Sequence, residues 1–378
     1  MKRYIVHTLL SVALLIPSAF AQKTVIEKNL PGYLKPLVER LEQEKHQHQG
    51  GVIAILHKGR VVYKTAFGHA RGNEGAITPS TLFPLASVSK AVTAVALALQ
   101  VEQGRLSFDR VMHAPCFKGG MGLKYMMSHT SGFAVRGDKE IERGLTQKQL
   151  MDLVFEMRPK CKPGACYTYS NLIYGLIEAS LHEEGMSFKR IIDQLSIELK
   201  TPHIQVLPLV SGADVAYPHA LRPQNKKKIR QPLSLESFYT KNVAASAGIF
   251  ASLDAMIEFY RLSFGYRPDL ISRKTLAELY TPVQASDDIF KWYAKWPYEP
   301  KVIQAGYGLG WRVLSLKKEP NQQFIFHSGY INGINSFIGS IPSAELGIVI
   351  IVNEGSAFAS RTGLDLWREV LKNGADKS

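Results

Sequence analysis

Short apolar, β-branched runs occur towards both ends of the chain and predict strands there. Residues 52–56 and 61–63 lie on either side of Lys58-Gly59, a sequence typical of a hairpin turn. Further strands are predicted over 307–316, 323–327, 334–341 and 346–353. Because two of the connections between these strands are tight hairpins, we expect a largely antiparallel sheet.

Helical periodicity dominates the region between these strands and the segments that flank them. Residues 31–48 place leucines and a valine on one face, which predicts an amphipathic helix. The segment from Ser87 to Gln103 is almost wholly apolar after Lys90 and stops at Gly104, so it predicts a buried helix. Further helices are predicted over 146–157, which opens with a capping box at Thr146, and over 172–184 and 358–372. Ser187 and Ser252 are predicted to be the N-caps of two more helices between them.

Strands at both ends with helices between them indicate one sheet assembled from both chain ends. We therefore expect an α/β fold of the α+β type, with a mainly antiparallel sheet flanked by helices. The sheet part would comprise about 31–75 and 300–374, with a helical subdomain of about 76–299 inserted between them. A chain of 378 residues is long enough for two such structural units.

The first 21 residues have the pattern of a cleavable secretory signal. Lys2 and Arg3 precede an apolar run through Ile16, and Ala19-Phe20-Ala21 is a small-residue cleavage pattern. The apolar run is too short to favour a membrane span. We expect cleavage after Ala21, a mature domain over 22–378, and a periplasmic or secreted protein without a stable membrane span. A retained N-terminal anchor is the alternative.

The composition is that of an ordinary globular protein, but the charge is basic. Apolar residues make up 46% and charged residues 21%, and the net charge is +14. A basic balance can indicate nucleic-acid binding, yet an exported protein would meet anionic envelope polymers and lipids instead. The densest basic run, residues 226–230, lacks the interleaved aromatic residues that stack on bases. We therefore interpret it as surface charge and expect no nucleic-acid partner.

Three cysteines leave at least one thiol without a disulfide partner. Cys161 and Cys166 flank Lys-Pro-Gly-Ala, a turn sequence that could bring their side chains together. Export to an oxidising compartment would permit this disulfide, and Cys116 would then be free. None of the three lies in a recognisable Cys/His context, so a thiol nucleophile is not indicated. His46 and His48 fall on different helix faces and do not indicate a metal site.

Three short motifs occur in the order Ser-x-x-Lys, Tyr-x-Asn and His-x-Gly, beginning at Ser87, Tyr169 and His327. Residues three apart share a helix face, so Lys90 would reach the Ser87 hydroxyl. Burial in this helix would lower the pKa of the Lys90 amine. A second Ser-x-x-Lys, at Ser315, lies in a predicted strand, where residues three apart point to opposite faces. For the Ser87 motif alone, a capping serine and a snorkelling lysine are the alternative.

The second motif could provide proton transfer and a polar contact to substrate. A Tyr169 phenol beside an ammonium ion can lose its proton and pass protons between nucleophile and leaving group. The Asn171 amide can donate to a substrate carbonyl while accepting from Lys90. A buried tyrosine followed by an N-cap asparagine is the alternative for this motif.

The third motif could form a wall for the substrate. We expect His327, Ser328 and Gly329 to contact substrate, because Gly329 would allow a close backbone approach. The backbone N–H of Tyr330 could join that of Ser87 in an oxyanion hole. A structural histidine at the end of a strand is the alternative.

With all three motifs in order, the chain resembles the serine β-lactamase and penicillin-binding protein superfamily, on its class C β-lactamase-like branch. The resemblance covers about 31–371 and extends to residues 81–90, 104–109, 127–132, 169–175, 247–252, 306–311 and 327–329. It implies the β-lactamase-like fold, an acyl-enzyme on Ser87, proton handling by Lys90 and Tyr169, hydrolysis by water, and no metal or cofactor. His129 and Thr130 also match and are interpreted as scaffold.

One departure from the best-known members bears on the substrate. They have Lys-Thr-Gly where this chain has His327-Ser328-Gly329, and a histidine is mostly neutral at pH 7. The resemblance thus implies weaker carboxylate recognition, with D-peptidase or esterase-like specificity favoured over efficient β-lactam hydrolysis. We expect an exported serine hydrolase acting on an amide, ester or lactam in a small molecule or peptide, such as a cell-wall peptide. The alternatives are a class C β-lactamase proper and a non-catalytic envelope recognition protein.

Overall fold

The computed structural model describes residues 24–224, 227–285 and 303–375; the predicted signal segment 1–21 and Lys226 of the basic run lie outside them. Its helices are α1 Lys35–Glu44, α2 Ser89–Glu102, α3 Leu123–Met127, α4 Asp138–Glu142, α5 Gln147–Glu156, α6 Asn171–Gly175, α7 Ile177–Glu183, α8 Phe188–Glu198, α9 Phe238–Asn242, α10 Ala244–Ala247, α11 Leu253–Ser263, α12 Arg273–Tyr280 and α13 Phe358–Ala375. Short 3₁₀ turns lie at Gly32–Leu34, Lys45–Gln47, Ala86–Val88 and Pro342–Ala344.

The strands fall into one large sheet and three small ones. They are β1 Val25–Ile26, β2 Gly50–His57, β3 Arg60–Arg71, β4 Glu74–Ala76, β5 Phe83–Pro84, β6 Val111–Met112, β7 Met121–Gly122, β8 Ile204–Gln205, β9 His219–Gln224, β10 Lys227–Pro232, β11 Phe250–Ala251, β12 Gln284–Ala285, β13 Ile303–Tyr307, β14 Arg312–Leu316, β15 Gln323–Ile331, β16 Ile334–Ile341 and β17 Leu346–Val352. The small sheets, β5-β11-β8, β9-β10 and β6-β7, lie in the mainly helical region.

The large sheet joins the two ends of the chain. Its order is β1-β3-β2-β17-β16-β15-β14-β13-β12, with β4 on β3, and neighbouring strands are antiparallel. The junction between the halves is the pairing of β17 with β2, which runs from Leu346 opposite His57 to Val352 opposite Gly51. The mainly antiparallel sheet built from both halves of the chain is therefore confirmed.

The central strands are buried on both faces. In β2, Val52 and Ala54 pack with the helical region that contains α2, whereas Ile53 and Ile55 pack with α1 and α13. Strand β17 divides its side chains in the same alternating way between the two cores. This two-sided burial explains why these strands are continuous apolar runs, and not the alternating pattern of an antiparallel sheet with one solvated face.

Several boundaries predicted from the sequence were wrong. The predicted strand 307–316 is two strands, because the chain turns between Tyr307 and Arg312 with Gly310 at φ +78°. The strand predicted to end at His327 continues to Ile331, where a two-residue Asn-Gly turn leads directly into β16. The predicted helix 172–184 is divided at Leu176 into α6 and α7.

Candidate active site

Ser87 lies in a strained turn in front of the buried helix. The helix predicted to begin at Ser87 begins at Ser89, and the preceding 3₁₀ turn contains Ala86 at φ +47°. Leu85 fixes this turn, since its N–H donates to the Ile249 carbonyl at 2.8 Å and its carbonyl accepts from Ser336 Oγ at 2.6 Å. The turn therefore presents the Ser87 hydroxyl to the neighbouring cleft.

Lys90 is fully buried in the first turn of α2. Its Nζ lies 3.3 Å from Ser87 Oγ, 2.6 Å from Asn171 Oδ1 and 2.9 Å from the Ser246 carbonyl. Burial lowers the pKa of the Lys90 amine below its ordinary value, and the negative charge of an ionised Tyr169 opposes that shift. The predicted contact between Lys90 and Ser87 is thus present, with two further acceptors that fix the amine.

Tyr169 lies beside three cationic side chains of the site, those of Lys90, Arg312 and Arg136, and the Arg136 Cζ is 5.7 Å from its ring centroid. The Lys90 Nζ is 4.9 Å and the Arg312 Cζ 5.4 Å from its ring centroid. Burial alone raises the pKa of the Tyr169 phenol, but Lys90, Arg312 and hydrogen bonds from Lys90 and Ser87 outweigh burial and lower it. A phenol with a lowered pKa beside a serine hydroxyl is suited to proton transfer.

His129 holds the two residues on either side of Tyr169. Its carbonyl accepts from the Thr168 N–H at 2.9 Å, and its Nδ1 accepts from the Ser170 N–H at 3.2 Å. Its ring lies 4.3 Å from the Tyr169 ring, centroid to centroid. Burial, reinforced by Lys90, lowers the pKa of His129 well below its usual value, so the imidazole is neutral at pH 7.

Asn171 is held from both sides of its amide. Its Oδ1 accepts from Lys90, and its Nδ2 donates to Asp138 Oδ1 at 2.6 Å. Asp138 in turn accepts from Arg136 Nε at 2.9 Å. One amide N–H that was expected to face substrate is therefore bonded to Asp138, a residue that the sequence did not single out.

His327 does not line the cleft, contrary to the sequence-based prediction. It is fully buried, with Nε2 2.9 Å from the Tyr307 hydroxyl and Nδ1 2.9 Å from the Ser328 carbonyl. Burial lowers its pKa well below the usual value, so the ring remains neutral. The His327 ring is buried against Tyr307 of β13, and the cleft wall is formed by Ser328, Gly329 and Tyr330.

Arg312 places a permanent positive charge in the cleft, whereas His327, of the His-x-Gly motif, is neutral. It is the first residue of β14 and lines the cleft, with Nη1 donating to Ser328 Oγ at 2.8 Å. The expectation of weak carboxylate recognition considered residue 327 alone, and the guanidinium at residue 312 removes its physical basis. No motif marked Arg312 in the sequence, because its position depends on the pairing of β14 with β15.

The end of β15 is in close contact with the 3₁₀ turn Ala86–Val88, called here the Ser87 turn. A Cβ on Gly329 would lie 2.5 Å from the Leu85 carbonyl and 3.0 Å from the Ser87 nitrogen. In a hairpin with a two-residue turn, the residues that flank the turn form the hydrogen-bonded pair, here Ile331 and Ile334. The N–H of Tyr330 is therefore directed away from β16, as an oxyanion hole shared with the Ser87 N–H requires.

These groups share one cleft of about 1100 Å³. It is lined by Ser87, Tyr169, Asn171, Arg312 and Ser328, together with the α4 segment and residues 233–239. Within the described ranges, no group of three or more His, Cys, Asp or Glu residues could hold a metal ion. No helix in the same ranges is long and apolar enough to cross a membrane.

A disulfide links Cys161 and Cys166 in the loop that leads to Tyr169, with a Cα–Cα distance of 6.3 Å. The loop is held further by the Gly164 N–H, which donates to the Thr130 carbonyl at 2.7 Å. Cys116 is a buried thiol whose pKa burial raises to about 12. A thiol of that kind is not nucleophilic at neutral pH.

Comparison with known sequences and solved structures identifies the family of this chain. The family model described as Beta-lactamase matches residues 34–371. A Beta-lactamase of Yersinia enterocolitica is 24% identical over 94% of this chain and 95% of its own length. The fold resembles an octameric penicillin-binding protein homologue from Pyrococcus abyssi, with a TM-score of 0.71, 20% identity, and 90% and 77% of the two chains covered.

A second solved structure is similar over nearly its whole length. The Beta-Lactamase/D-Alanine Carboxypeptidase from Pseudomonas syringae has a TM-score of 0.66 and 19% identity, with 90% of this chain and 98% of that chain covered. The family match spans both halves of the sheet and every motif residue named above. The chain therefore belongs to the Beta-lactamase family, within the superfamily of serine β-lactamases and penicillin-binding proteins.

Proposed function

We propose that this protein is a serine acyl hydrolase whose nucleophile is Ser87. The observation that carries the proposal is the buried Lys90 amine, 3.3 Å from Ser87 Oγ, beside a Tyr169 phenol of lowered pKa. This arrangement offers a hydroxyl nucleophile, an adjacent acceptor for its proton and a fixed cation that stabilises the phenolate. A non-catalytic recognition protein would not need these three groups to be arranged in this way.

In the proposed reaction, Ser87 Oγ attacks the substrate carbonyl carbon and its proton passes to the Tyr169–Lys90 pair. The N–H groups of Ser87 and Tyr330 stabilise the oxyanion that forms. When the oxyanion collapses, the bond to the leaving group breaks, and the pair returns the proton to the leaving nitrogen or oxygen. Water then attacks the acyl-enzyme ester, which releases the acid and restores the Ser87 hydroxyl.

For the substrate, we propose an amide or ester with a carboxylate near the scissile bond, as in a D-alanyl peptide. Arg312 and the Ser328 hydroxyl lie together in the cleft beside Tyr169, and a guanidinium is the side chain best suited to bind a carboxylate. The D-alanine carboxypeptidase named among the similar structures agrees with this substrate class. A β-lactam carries the same carboxylate, so it is the second candidate substrate.

We also propose that the protein is exported and cleaved after Ala21. The amino-terminal pattern of a basic start, an apolar run and small residues supports this proposal. The Cys161–Cys166 disulfide supports it too, because such bonds persist mainly in oxidising compartments. A cell-wall peptide would be an accessible substrate in that location.

The experiment is a turnover panel run on the wild type and on Ser87→Ala. It comprises a D-alanyl-D-alanine peptide, a short-chain nitrophenyl ester and nitrocefin, with a fluorescent penicillin as an acylating probe. We expect turnover of the D-alanyl-D-alanine peptide to exceed turnover of the neutral ester, because only the peptide carries the carboxylate that Arg312 would bind, and we expect labelling to disappear in Ser87→Ala. Equal labelling of the two proteins would exclude Ser87 as the nucleophile, and faster nitrocefin turnover would identify a β-lactamase instead.

A further inference from the structure

Lys90 depends on a carbonyl group of a very short helix. Helix α10 is four residues long, and its Ser246 carbonyl accepts from Lys90 Nζ at 2.9 Å. The preceding carbonyl, of Ala245, accepts from Thr93 Oγ1 at 2.8 Å. Lys90 and Thr93 are three residues apart on α2, so α10 presents two consecutive carbonyls to one face of the nucleophile's helix. The orientation of α10 therefore helps to fix the Lys90 amine.

Helix α10 has no side chain of its own to cap its amino end. Its N-cap is Val243, at φ −144°, which makes no side-chain hydrogen bond. Glu178, on α7, provides the missing acceptor, because its Oε1 accepts from the Ala245 N–H at 2.7 Å. Burial raises the pKa of the Glu178 carboxyl to about 7, against the opposing hydrogen bonds from the Ala245 and Ala244 N–H groups.

The two ionisable side chains contact opposite ends of α10. Glu178 accepts at the N–H side of α10, and Lys90 donates at the carbonyl side. Peptide dipoles favour negative charge at the amino end of a helix and positive charge at the carboxyl end. The residues that follow α10 also contact the nucleophile segment, since the Ile249 N–H donates to Ser89 Oγ at 3.0 Å.

We propose that Glu178 is a positioning residue for acyl transfer: by accepting the Ala245 N–H, it holds α10 so that the Ser246 carbonyl stays bonded to Lys90. Glu178 is absent from the cleft lining, so it acts through α10 and Lys90 and not on substrate. This inference rests on the proposed function, because it requires Lys90 to take part in acylation of Ser87.

The test compares the rate constant of Ser87 acylation by a fluorescent penicillin in Glu178→Leu, Glu178→Gln and the wild type. Rates are normalised to the fraction of folded protein, measured by circular dichroism. Glutamine keeps an acceptor oxygen, whereas leucine removes it. We expect Glu178→Leu to acylate on the order of tenfold more slowly with little change in apparent binding constant, and Glu178→Gln to stay within about twofold of the wild type.

Glu183→Leu, an exposed change on the same helix, is the matched control and should not differ from the wild type.

Two outcomes would overturn this role of Glu178. One is a folded Glu178→Leu protein that acylates at the wild-type rate; the other is an equal loss in the Gln and Leu variants. If the Leu variant does not fold, Glu178→Asp replaces it, because it keeps the charge but withdraws the acceptor by one methylene. Acylation of the Glu178→Asp protein at the wild-type rate would then contradict the role. Absence of labelling in the wild type would instead refute the proposed function itself.

Discussion

Burial and neighbouring positive charge have opposite effects on the pKa of the Tyr169 phenol. Burial disfavours the phenolate, while Lys90 and Arg312 stabilise it, and the net effect lowers the pKa of the phenol. Burial also lowers the pKa of Lys90, so the two groups titrate as a pair. We expect a bell-shaped dependence of kcat/KM on pH, because acylation needs the phenolate form of Tyr169 and the charged form of Lys90.

Arg312→Gln should change both the pH dependence and the recognition of substrate. Loss of the guanidinium removes a cation that stabilises the phenolate, so the pKa of Tyr169 rises and the acid limb of kcat/KM moves to higher pH. KM for a D-alanyl peptide should increase more than KM for a neutral ester, by about tenfold or more, because only the peptide has a carboxylate to lose its partner. Rate profiles from pH 5 to about 10 check both effects.

Arg273→Gln, on the exposed first turn of α12, is the control for the change of charge and should leave the profile unmoved. An unshifted acid limb in Arg312→Gln would show that Arg312 does not set the protonation of Tyr169. Equal effects on the peptide and the ester would show that the carboxylate is bound elsewhere.

At the level of elements, strand β15 and the 3₁₀ turn at Ala86–Val88 form the reactive centre by direct contact. The strand brings Ser328, Gly329 and Tyr330 along the cleft, and β16 supports it through the Asn-Gly hairpin. Residue 329 has no space for a side chain, because a Cβ there would lie 2.3 Å from the Oγ of Ser336 on β16. Glycine at this position is what permits the approach of the strand to the nucleophile.

Gly329→Ala should therefore separate β15 from the Ser87 turn. Because this would weaken oxyanion stabilisation, we expect the acylation rate to fall by at least about tenfold. The added methyl would collide with the Leu85 carbonyl and with Ser336 Oγ, which are hydrogen-bonded to each other and cannot easily move apart. Labelling of Ser87 by a fluorescent penicillin measures the effect.

The matched control is Gly32→Ala, where a Cβ would meet nothing within 4 Å. This variant should acylate at the wild-type rate. A wild-type rate in Gly329→Ala would show that the strand can yield without disturbing the oxyanion hole.

At the level of the whole molecule, the amino-terminal segment closes one edge of the sheet. Val25 and Ile26 pair with Tyr63 and Lys64 of β3, and the Thr24 hydroxyl lies 3.0 Å from that of Thr65. Both strand residues lie after the proposed cleavage position at Ala21. Removal of the signal would leave this edge strand intact.

Expression of the full-length chain in a Gram-negative host should therefore yield a periplasmic protein whose amino terminus is Gln22. Mass spectrometry of the purified protein gives the terminus, and alkylation of the denatured protein before and after reduction counts the thiols, including the buried Cys116. We expect one free thiol, at Cys116, before reduction and three after it. An uncleaved protein in the cytoplasmic or membrane fraction would contradict the proposed export, and Ala21→Arg, which disrupts the cleavage pattern, should give that result.

The superfamily, the antiparallel sheet and the Ser87–Lys90 pair could all be predicted from the amino-acid sequence. The pair follows from local spacing, because residues three apart on one turn meet wherever that turn lies in the fold. Tyr169 was also identified, although only its place in an ordered set of motifs distinguished it from a buried tyrosine. The Asn-Gly turn after Ile331 was visible too, and would have shown that β15 continues beyond His327.

The groups that surround the Ser87–Lys90 pair could be identified only in the folded structure. Arg312 reaches the cleft because β14 pairs with β15, Asp138 because α4 lies beside α6, and Glu178 because α7 packs on α10. The assembled sheet also buries the His327 ring against Tyr307 of β13, and this burial keeps the ring neutral. Spacing along the chain cannot specify such contacts, since burial and charge at a site depend on segments that are distant in sequence and meet only when the sheet is assembled.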